Sequence, residues 1–477
     1  MLDINLIREH AEIVKKDLQK RNMPDKIKLL EEIKQKDAEW KMMQGQIGEM
    51  RFQRNTMSQQ IAQAKKAGQN IANLLKRAAE IPQEIQKKED WANVLRTEID
   101  ERIMQFPNVL HDSVPVGDGE LHNAEVKKFG KKPVFSFQPI DHVDLMEKLD
   151  LVDLPRAAKI SGARFWFLKN DLAKLDLALQ LYAVDFMTNR GYELMSPPHL
   201  MSRAAYAGVT DLKDFEDVMY KIENEDLYLI ATSEHPLTAQ FMNEIFPMDC
   251  FPAKFCGISA CFRKEAGAHG KDTKGIFRGH QFHKVEQVII CKPEESWKLH
   301  EELVKNTIDF FSSLGLHFRQ VNICTGDIGT VAAKKYDIEA WFPVQQAYRE
   351  VASISNCTDF QARRLKMRYR TDLQNPEAKA VPHTLNATCV ATSRALAAIL
   401  ENFQNKDGTI DVPKVLWNYF GKQKITKKMT VEEKKKEQEE VIKSLAGVWK
   451  SKETGAEYTK RIRGHGKKRP KKSSKKN

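Results

Sequence analysis

Two successive seven-residue repeats constrain this chain more than any other feature. Between Ile27 and Ala64, one series is Ile33, Trp40, Ile47, Arg54 and Ile61, and the other is Leu29, Lys36, Met43, Met50, Met57 and Ala64. No proline interrupts them. So narrow an apolar seam cannot sit in a globular core and must find a partner helix. A helix over 27–64 would extend about 57 Å at 1.5 Å per residue. Lys65, Lys66, Ala67, Gly68, Gln69 and Asn70 then break the pattern with a helix-ending glycine and a turn-prone asparagine. A second repeat follows through Ile71, Ala78, Ile85, Ala92, Ile99 and Phe106, with Leu74, Ile81 and Leu95 on the adjoining rows. Two such helices joined by a short turn fold back on each other, which predicts an antiparallel helical arm over about 27–105. Pro82 is expected to kink or break the return helix. Alone, the pattern fits a dimerising coiled coil or a plain helical bundle equally well.

The rest of the chain changes texture. Pro107, Pro115, Gly117 and Gly119 mark a way out of the arm. Leu172, Leu175, Leu179, Tyr182 and Phe186 make one helix face ending at Arg190-Gly191. Alternating apolar runs at 227–231, 254–262, 277–290, 318–323, 338–342 and 347–353 read as strands joined mainly by short turns, which favours an antiparallel sheet. A last helix is expected over 390–404. The division read from this is an N-terminal domain over 1–110, a linker over 111–150, a second domain over 151–421 and a tail over 422–477. With 477 residues and 41% hydrophobic content there is material for two or three domains. No apolar run approaches the length of a membrane span and the first residues lack a secretory pattern, so a soluble, cytoplasmic chain without a membrane partner is expected.

Net charge is +12, but Lys460 to Asn477 holds ten Lys or Arg and no acid. That tail reads as an RNA-facing arm or a solubility tail, and 467–472 also fits a nuclear-import pattern. The seven cysteines form no Cys-x-x-Cys pair. Cys256 and Cys261 with His280 and His283 are the nearest approach to a metal set, and buried reduced thiols are the simpler reading, so no zinc is expected.

Most chemistry is concentrated in Cys261-Phe262-Arg263-Lys264-Glu265, a loop containing Gly267, Gly270 and Gly275, and a return through Phe277-Arg278-Gly279-His280-Gln281-Phe282-His283-Lys284-Val285-Glu286. If Arg263 and Glu265 lie in one strand, they share a face. A guanidinium there could hold a phosphate while the carboxylate accepts from an amino group, although a surface ion pair has the same pattern. Gly267 to Lys271 is too short for a phosphate-binding loop of the Gly-x4-Gly-Lys type, and no dinucleotide fingerprint occurs elsewhere.

Phe262-Arg263-Lys264-Glu265 with its hairpin resembles motif 2 of the class II aminoacyl-tRNA synthetases. Arg190-Gly191 through Pro198 resembles motif 1, and Thr392-Ser393-Arg394-Ala395-Leu396 resembles motif 3. Within that class, Thr232-Ser233-Glu234, Glu286, the block from Arg349 to Arg364 and Leu385-Asn386-Ala387-Thr388 are similar to the seryl-tRNA synthetase family, in its archaeal and eukaryotic cytosolic branch. The resemblance covers about residues 1–420. Motif 3 usually has glycine where Ser393 stands, a residue this branch tolerates.

The resemblance implies an α+β fold: an antiparallel two-helix coiled-coil arm plus a class II catalytic domain on an antiparallel sheet flanked by helices. It implies a ligase that activates L-serine with ATP and transfers it to tRNA-Ser, with tRNA-Sec left open as a second acceptor. Arg263, Arg394 and Glu350 would be catalytic. ATP would meet Arg263, Lys264, Glu265, Gly279, His280, Gln281, Phe282, Glu350, Val351, Ala352, Ser353 and Arg394, with Phe282 stacked on adenine and Mg²⁺ held by Glu350 and Ser353. Serine would meet Thr232, Ser233, Glu234, Arg263, Glu286, Asn386 and Thr388. The tRNA would meet Arg51, Arg54, Lys65, Lys66, Lys76 and Arg77 on the arm, and motif 1 implies a homodimer. Two rivals remain open at this point: a relative that serves another acceptor, and a non-catalytic RNA-binding scaffold.

Overall fold

The computed structural model describes residues 1–212, 216–265, 274–427, 435, 438–443, 454, 456, 457 and 460. The loop from Gly267 to Lys271 and the basic stretch after Lys460, with its import-like 467–472, lie outside the described residues. Contacts divide the chain into a unit Met1–Thr426 and a second unit Lys427–Asn477, whose described residues are all exposed.

Two short helices, α1 (Ile4–Glu9) and α2 (Ala11–Lys20), precede the long helices α3 (Pro24–Lys66) and α4 (Ala72–Ile103). The repeats explain why α3 and α4 pair. Ile33 and Ile47 are buried against Ile81, Ile85, Ala92, Leu95 and Ile99, while Trp40, Met43, Met50 and Met57 are half-buried between them. Only Arg54 leaves the seam, its charged head lying exposed. Near the foot the buried stripe widens to take in Leu30, because α1 and α2 add Ile7, Val14 and Leu18 as further partners. Arg8 donates to both carboxylate oxygens of Asp37 at 2.8 and 2.6 Å, tying α1 to α3.

Of the kink or break expected at Pro82, the break does not occur: α4 runs through it as one helix of 32 residues. Proline costs an interior helix one hydrogen bond and a steric clash. Here Ile81 and Ile85 on either side are buried against α3, and this packing holds the turn that the backbone alone would surrender.

The second half is built on an eight-stranded sheet. In chain order its strands are β1 (Ala124–Phe129), β2 (Glu193–Met195), β3 (Ala253–Phe262), β4 (Gln281–Cys291), β5 (Phe318–Asn322), β6 (Lys334–Phe342), β7 (Ala347–Asn356) and β8 (His383–Ala391), and across the sheet they run β1-β5-β6-β7-β8-β4-β3-β2. All neighbours are antiparallel except β2 and β3. Strand β1 belongs to the stretch read as a linker. One face is packed by α5 (Asn170–Thr188), α6 (Ser296–Ser313) and α7 (Thr392–Asn402), whose Leu175, Leu179, Leu303, Phe310, Leu396 and Leu400 are buried with Val285, Ile289 and Ile338 of the strands.

Two expectations need correction. A regular helix of 18 residues, α6, joins β4 to β5 where short turns were expected. Val390 and Ala391 belong to β8 and the helix begins only at Thr392. An apolar run of this kind has no periodicity that separates a buried strand from a buried helix.

Candidate active site

The sheet's other face forms the floor of a cleft of about 450 Å³. Strand parity supplies its lining. Phe282, Lys284 and Glu286 stand at alternate positions of β4, Asn386 and Thr388 of β8, and Ser353 and Ser355 of β7, and all line the cleft. Register brings Thr388 opposite Glu286 and Asn386 opposite Ser355. Arg263 enters from the end of β3, Arg394 from the first turn of α7, Thr232 from the loop after residue 229, and Glu234 from the start of the short helix Glu234–Ala239 that follows it.

At one end the cleft carries fixed positive charge. The guanidinium of Arg263 lies 5.3 Å from the Phe282 ring centroid and donates to the Ala231 carbonyl at 3.3 Å. Arg394 donates to the Glu350 carboxylate at 2.8 Å and to its carbonyl at 3.2 Å. Burial would push the Glu350 carboxyl up, but Arg394, Lys335 and Arg263 together hold it below the usual range. Its side chain keeps 45% exposure at the cleft mouth.

The opposite end is small, enclosed and acidic. Glu286 is 1% exposed, with Lys284 Nζ 2.6 Å from its Oε2 and the Thr388 hydroxyl donating to the same oxygen at 3.4 Å. Glu234 accepts from Asn386 at 3.0 Å and Gln361 at 3.2 Å. Burial, followed by the neighbouring charge of Glu286, pushes the Glu234 carboxyl up to about 7. Burial likewise raises Glu286. Behind these acids Gly257 stands opposite Glu286 in the β3–β4 ladder, where a Cβ would come within 2.5 Å of Leu237 and 2.8 Å of the Ser233 hydroxyl.

Several expected site residues lie outside this lining. Strand β3 ends at Phe262, so Arg263 and Glu265 do not share a strand face. Glu265 has left-handed backbone (φ 51°) and its carboxylate is held by Arg278 at 2.9 Å. Ser233 is fully buried and donates to the Gly257 carbonyl at 3.3 Å. Lys264 donates its backbone N–H to Val218, with its ammonium 5.9 Å from the Tyr220 ring. Gly279 packs against Trp166, and His280 bonds Tyr220 and stacks on Phe165. Gln281 lines a separate, more apolar cavity of about 350 Å³ behind Phe282. On the arm, Arg51, Arg54, Lys65, Lys66, Lys76 and Arg77 are all exposed, with Arg51 paired to Glu89 and Arg77 to Glu80 and Glu84.

Sequence reasoning passed over Lys284, although its parity with Phe282 and Glu286 was the available signal. It also passed over Asp337, which is 6% exposed, pushed up to about 7 by burial, and left with one carboxylate oxygen, Oδ1, without a hydrogen-bond partner among the described residues. Asp337 lines an adjoining polar cavity of about 660 Å³ with Arg278, Arg349, Glu350 and Arg394. These acids and the Ser353 hydroxyl are oxygen donors, as a hard cation requires. No group of three or more His, Cys, Asp or Glu is placed to hold a metal unaided among the described residues, so any such ion would take further oxygens from a bound phosphate.

Comparisons with known proteins agree along most of the chain. A family profile described as Seryl-tRNA synthetase N-terminal domain matches residues 1–110, and one described as tRNA synthetase class II core domain (G, H, P, S and T) matches 218–403. A serine--tRNA ligase from Methanoregula boonei is 50% identical over 424 residues, covering 88% of this chain and 99% of that protein. The crystal structure of seryl-tRNA synthetase from Pyrococcus horikoshii complexed with ATP superposes with a TM-score of 0.87 at 46% identity, covering 90% of this chain and all of that one. The cytoplasmic serine-tRNA ligase from Naegleria fowleri in complex with AMP gives 0.83 at 34%, covering 90% and 99%.

Proposed function

Since this chain belongs to the seryl-tRNA synthetase family, we propose that the cleft between Arg263, Arg394 and Glu286 is where it activates serine. The protein is a serine–tRNA ligase: it couples L-serine to ATP as seryl-adenylate and transfers the seryl group to the 3′ end of tRNA-Ser. The observation that carries the site assignment is the convergence of two guanidinium groups, one aromatic face and a buried acidic pocket on a single cleft.

In the first step the serine carboxylate attacks the α-phosphorus and pyrophosphate departs. Negative charge develops on the transferring and leaving groups, where prepositioned cations lower the barrier most. Arg263 holds the α-phosphate and Arg394 the γ-phosphate, while Phe282 stacks on adenine. Glu350 and Ser353 would hold Mg²⁺, which when bound screens charge between the phosphates. The second step needs the tRNA ribose hydroxyl aligned on the adenylate carbonyl, with AMP leaving, and positioning suffices for it.

Selection of serine falls to Glu286, Thr388, Thr232, Glu234 and Asn386. Glu234 and Glu286 receive the ammonium and hydroxyl. A site built around such hydrogen bonds rejects an analogue lacking the group by up to about 10⁴–10⁵, because buried partners are left unsatisfied. Ionised Glu234 binds the ammonium and its protonated form does not. With its carboxyl pushed up to about 7, the KM for serine should rise as pH falls below 7 and level off above it. Glu234→Gln should raise that KM roughly 10- to 100-fold, the scale of a lost charged hydrogen bond, and reduce its pH dependence. A wild-type KM that is flat between pH 6 and 8 would remove Glu234 from this role.

The arm is assigned to the tRNA, through phosphate contacts from Arg54, Lys65, Lys66 and Lys76, with Arg51 and Arg77 contributing once released from their carboxylates. We assign a homodimer, supported by Leu177 and Leu181, which α5 leaves 59% and 55% exposed beside Phe167 at 45%; sedimentation at twice the chain mass is its test. No helix among the described residues is long and apolar enough to cross a membrane, and a cytoplasmic site of action fits the substrates. Serine-dependent ATP–pyrophosphate exchange followed by charging of tRNA-Ser tests the whole reading. Exchange without charging would point to another acceptor, and folded protein without exchange to a scaffold.

A further inference from the structure

One wall of the cleft is irregular backbone, residues 328–332, which belongs to no strand of the sheet. Carbonyl groups on such a segment must find donors, and an irregular wall lacks a ladder to supply them. Its donors come from the foot of the arm. Arg21, which caps α2, gives one guanidinium nitrogen to the Gly329 carbonyl at 2.7 Å. Its other terminal nitrogen reaches the Asn108 carbonyl at 2.8 Å. Asn108, just beyond α4, donates its backbone N–H to Thr330 at 2.8 Å. The Asn108 side-chain amide donates to Val331 at 3.0 Å, to Cys357 at 2.8 Å and to the Thr358 hydroxyl at 3.0 Å. His111 completes the row with its backbone N–H on Ala333 at 2.9 Å.

Both connecting side chains are themselves locked. The Arg21 side chain is 1% exposed and its Nε is held by Asp17 at 3.1 Å, while Asp17 also accepts the Leu110 N–H at 2.9 Å. Asn108 is 3% exposed. Gly329, Thr330, Val331 and Cys357 all line the cleft, so the wall that substrates meet is placed by side chains that do not touch them.

We propose that Arg21 and Asn108 are positioning residues for serine and ATP: the foot of the tRNA-binding arm sets the substrate wall. This rests on the cleft being the activation site. Misplacing a substrate contact by about 1 Å can cost on the order of 100-fold in rate, and the two side chains together hold the Gly329 and Val331 carbonyls of the wall and the carbonyl of Cys357.

The test uses the full-length chain with Asn108→Ala and Arg21→Met, reading exchange kinetics, the number of active sites by the adenylate burst, and tRNA-Ser affinity by filter binding. The expected result is a KM for serine and ATP raised on the order of 10- to 100-fold, with active-site number and tRNA affinity unchanged. Arg21→Lys, which keeps one donor and the charge beside Asp17, should fall between wild type and Arg21→Met. Unchanged KM values overturn the proposal, as does a loss confined to the number of active sites, which would mark a merely structural role. Wild-type protein without serine-dependent exchange would instead overturn the reading of the cleft, and the proposal with it.

Discussion

Arg263→Ala is expected to reduce serine-dependent pyrophosphate exchange by on the order of 10³-fold while leaving the fold intact. Removing one well-placed donor from developing negative charge costs about 10²–10³ in catalytic rate, and a full cation in an enclosed cleft belongs at the upper end. The fold has little at stake. Arg263 lies past the end of β3, is partly exposed, and makes one long side-chain hydrogen bond, to Ala231. Arg263→Lys should restore little, since an ammonium lacks the planar fork that grips a phosphate from two sides. Exchange measured beside thermal unfolding decides the matter: normal exchange in Arg263→Ala would remove this residue from the reaction.

The second large effect is expected from the arm. Removing residues 54–82 and closing the gap with a few glycines takes away the tip, including Lys65, Lys66, Lys76 and Arg77. It keeps Ile33, Ile47, Ile85, Ala92 and Ile99 packed below the cut. Exchange should be unchanged, because Arg21 and Asn108 still hold the cleft wall. Charging at limiting tRNA should fall on the order of 10²- to 10⁴-fold, the scale of losing several phosphate contacts. A deeper cut, through 68–100, would remove Ile99 from the foot and confuse the two effects. Equal loss of exchange and charging after the shorter cut would contradict the division of labour.

The arm was legible in the sequence because its information is local: the seven-residue spacing names nearly every residue that the helical pair buries. Pro82 misled because the penalty is local while the compensation, Ile81 and Ile85 against α3, is not. The cleft was legible where short motifs carry it, in Arg263, Phe282, Glu286, Glu350 and Arg394. It was not legible where β3 stops one residue before Arg263, since strand ends depend on pairing that spacing does not encode. The start of α7 was misplaced for a related reason, burial on both sides having erased the period of β8 before it, whereas α6 keeps one exposed face at Lys298, Glu301 and Lys305, and its helical spacing was an available signal. The hydrogen bonds from Arg21 and Asn108 to the cleft wall were beyond reach. They join side chains to carbonyl groups more than 200 positions away, and a carbonyl has no sequence signature.

The glycine at 257 carries a consequence for discrimination. Its missing side chain lets Ser233 and Leu237 settle directly against the strand, and Ser233 lies between Thr232 and Glu234, two of the groups assigned to serine. Any larger residue there would drive that tripeptide forward and narrow the bore of the amino-acid chamber. If those groups receive serine as proposed, the calibre that separates it from bulkier hydroxyl amino acids is governed one layer behind the surface the substrate meets, at a position with no functional group to offer.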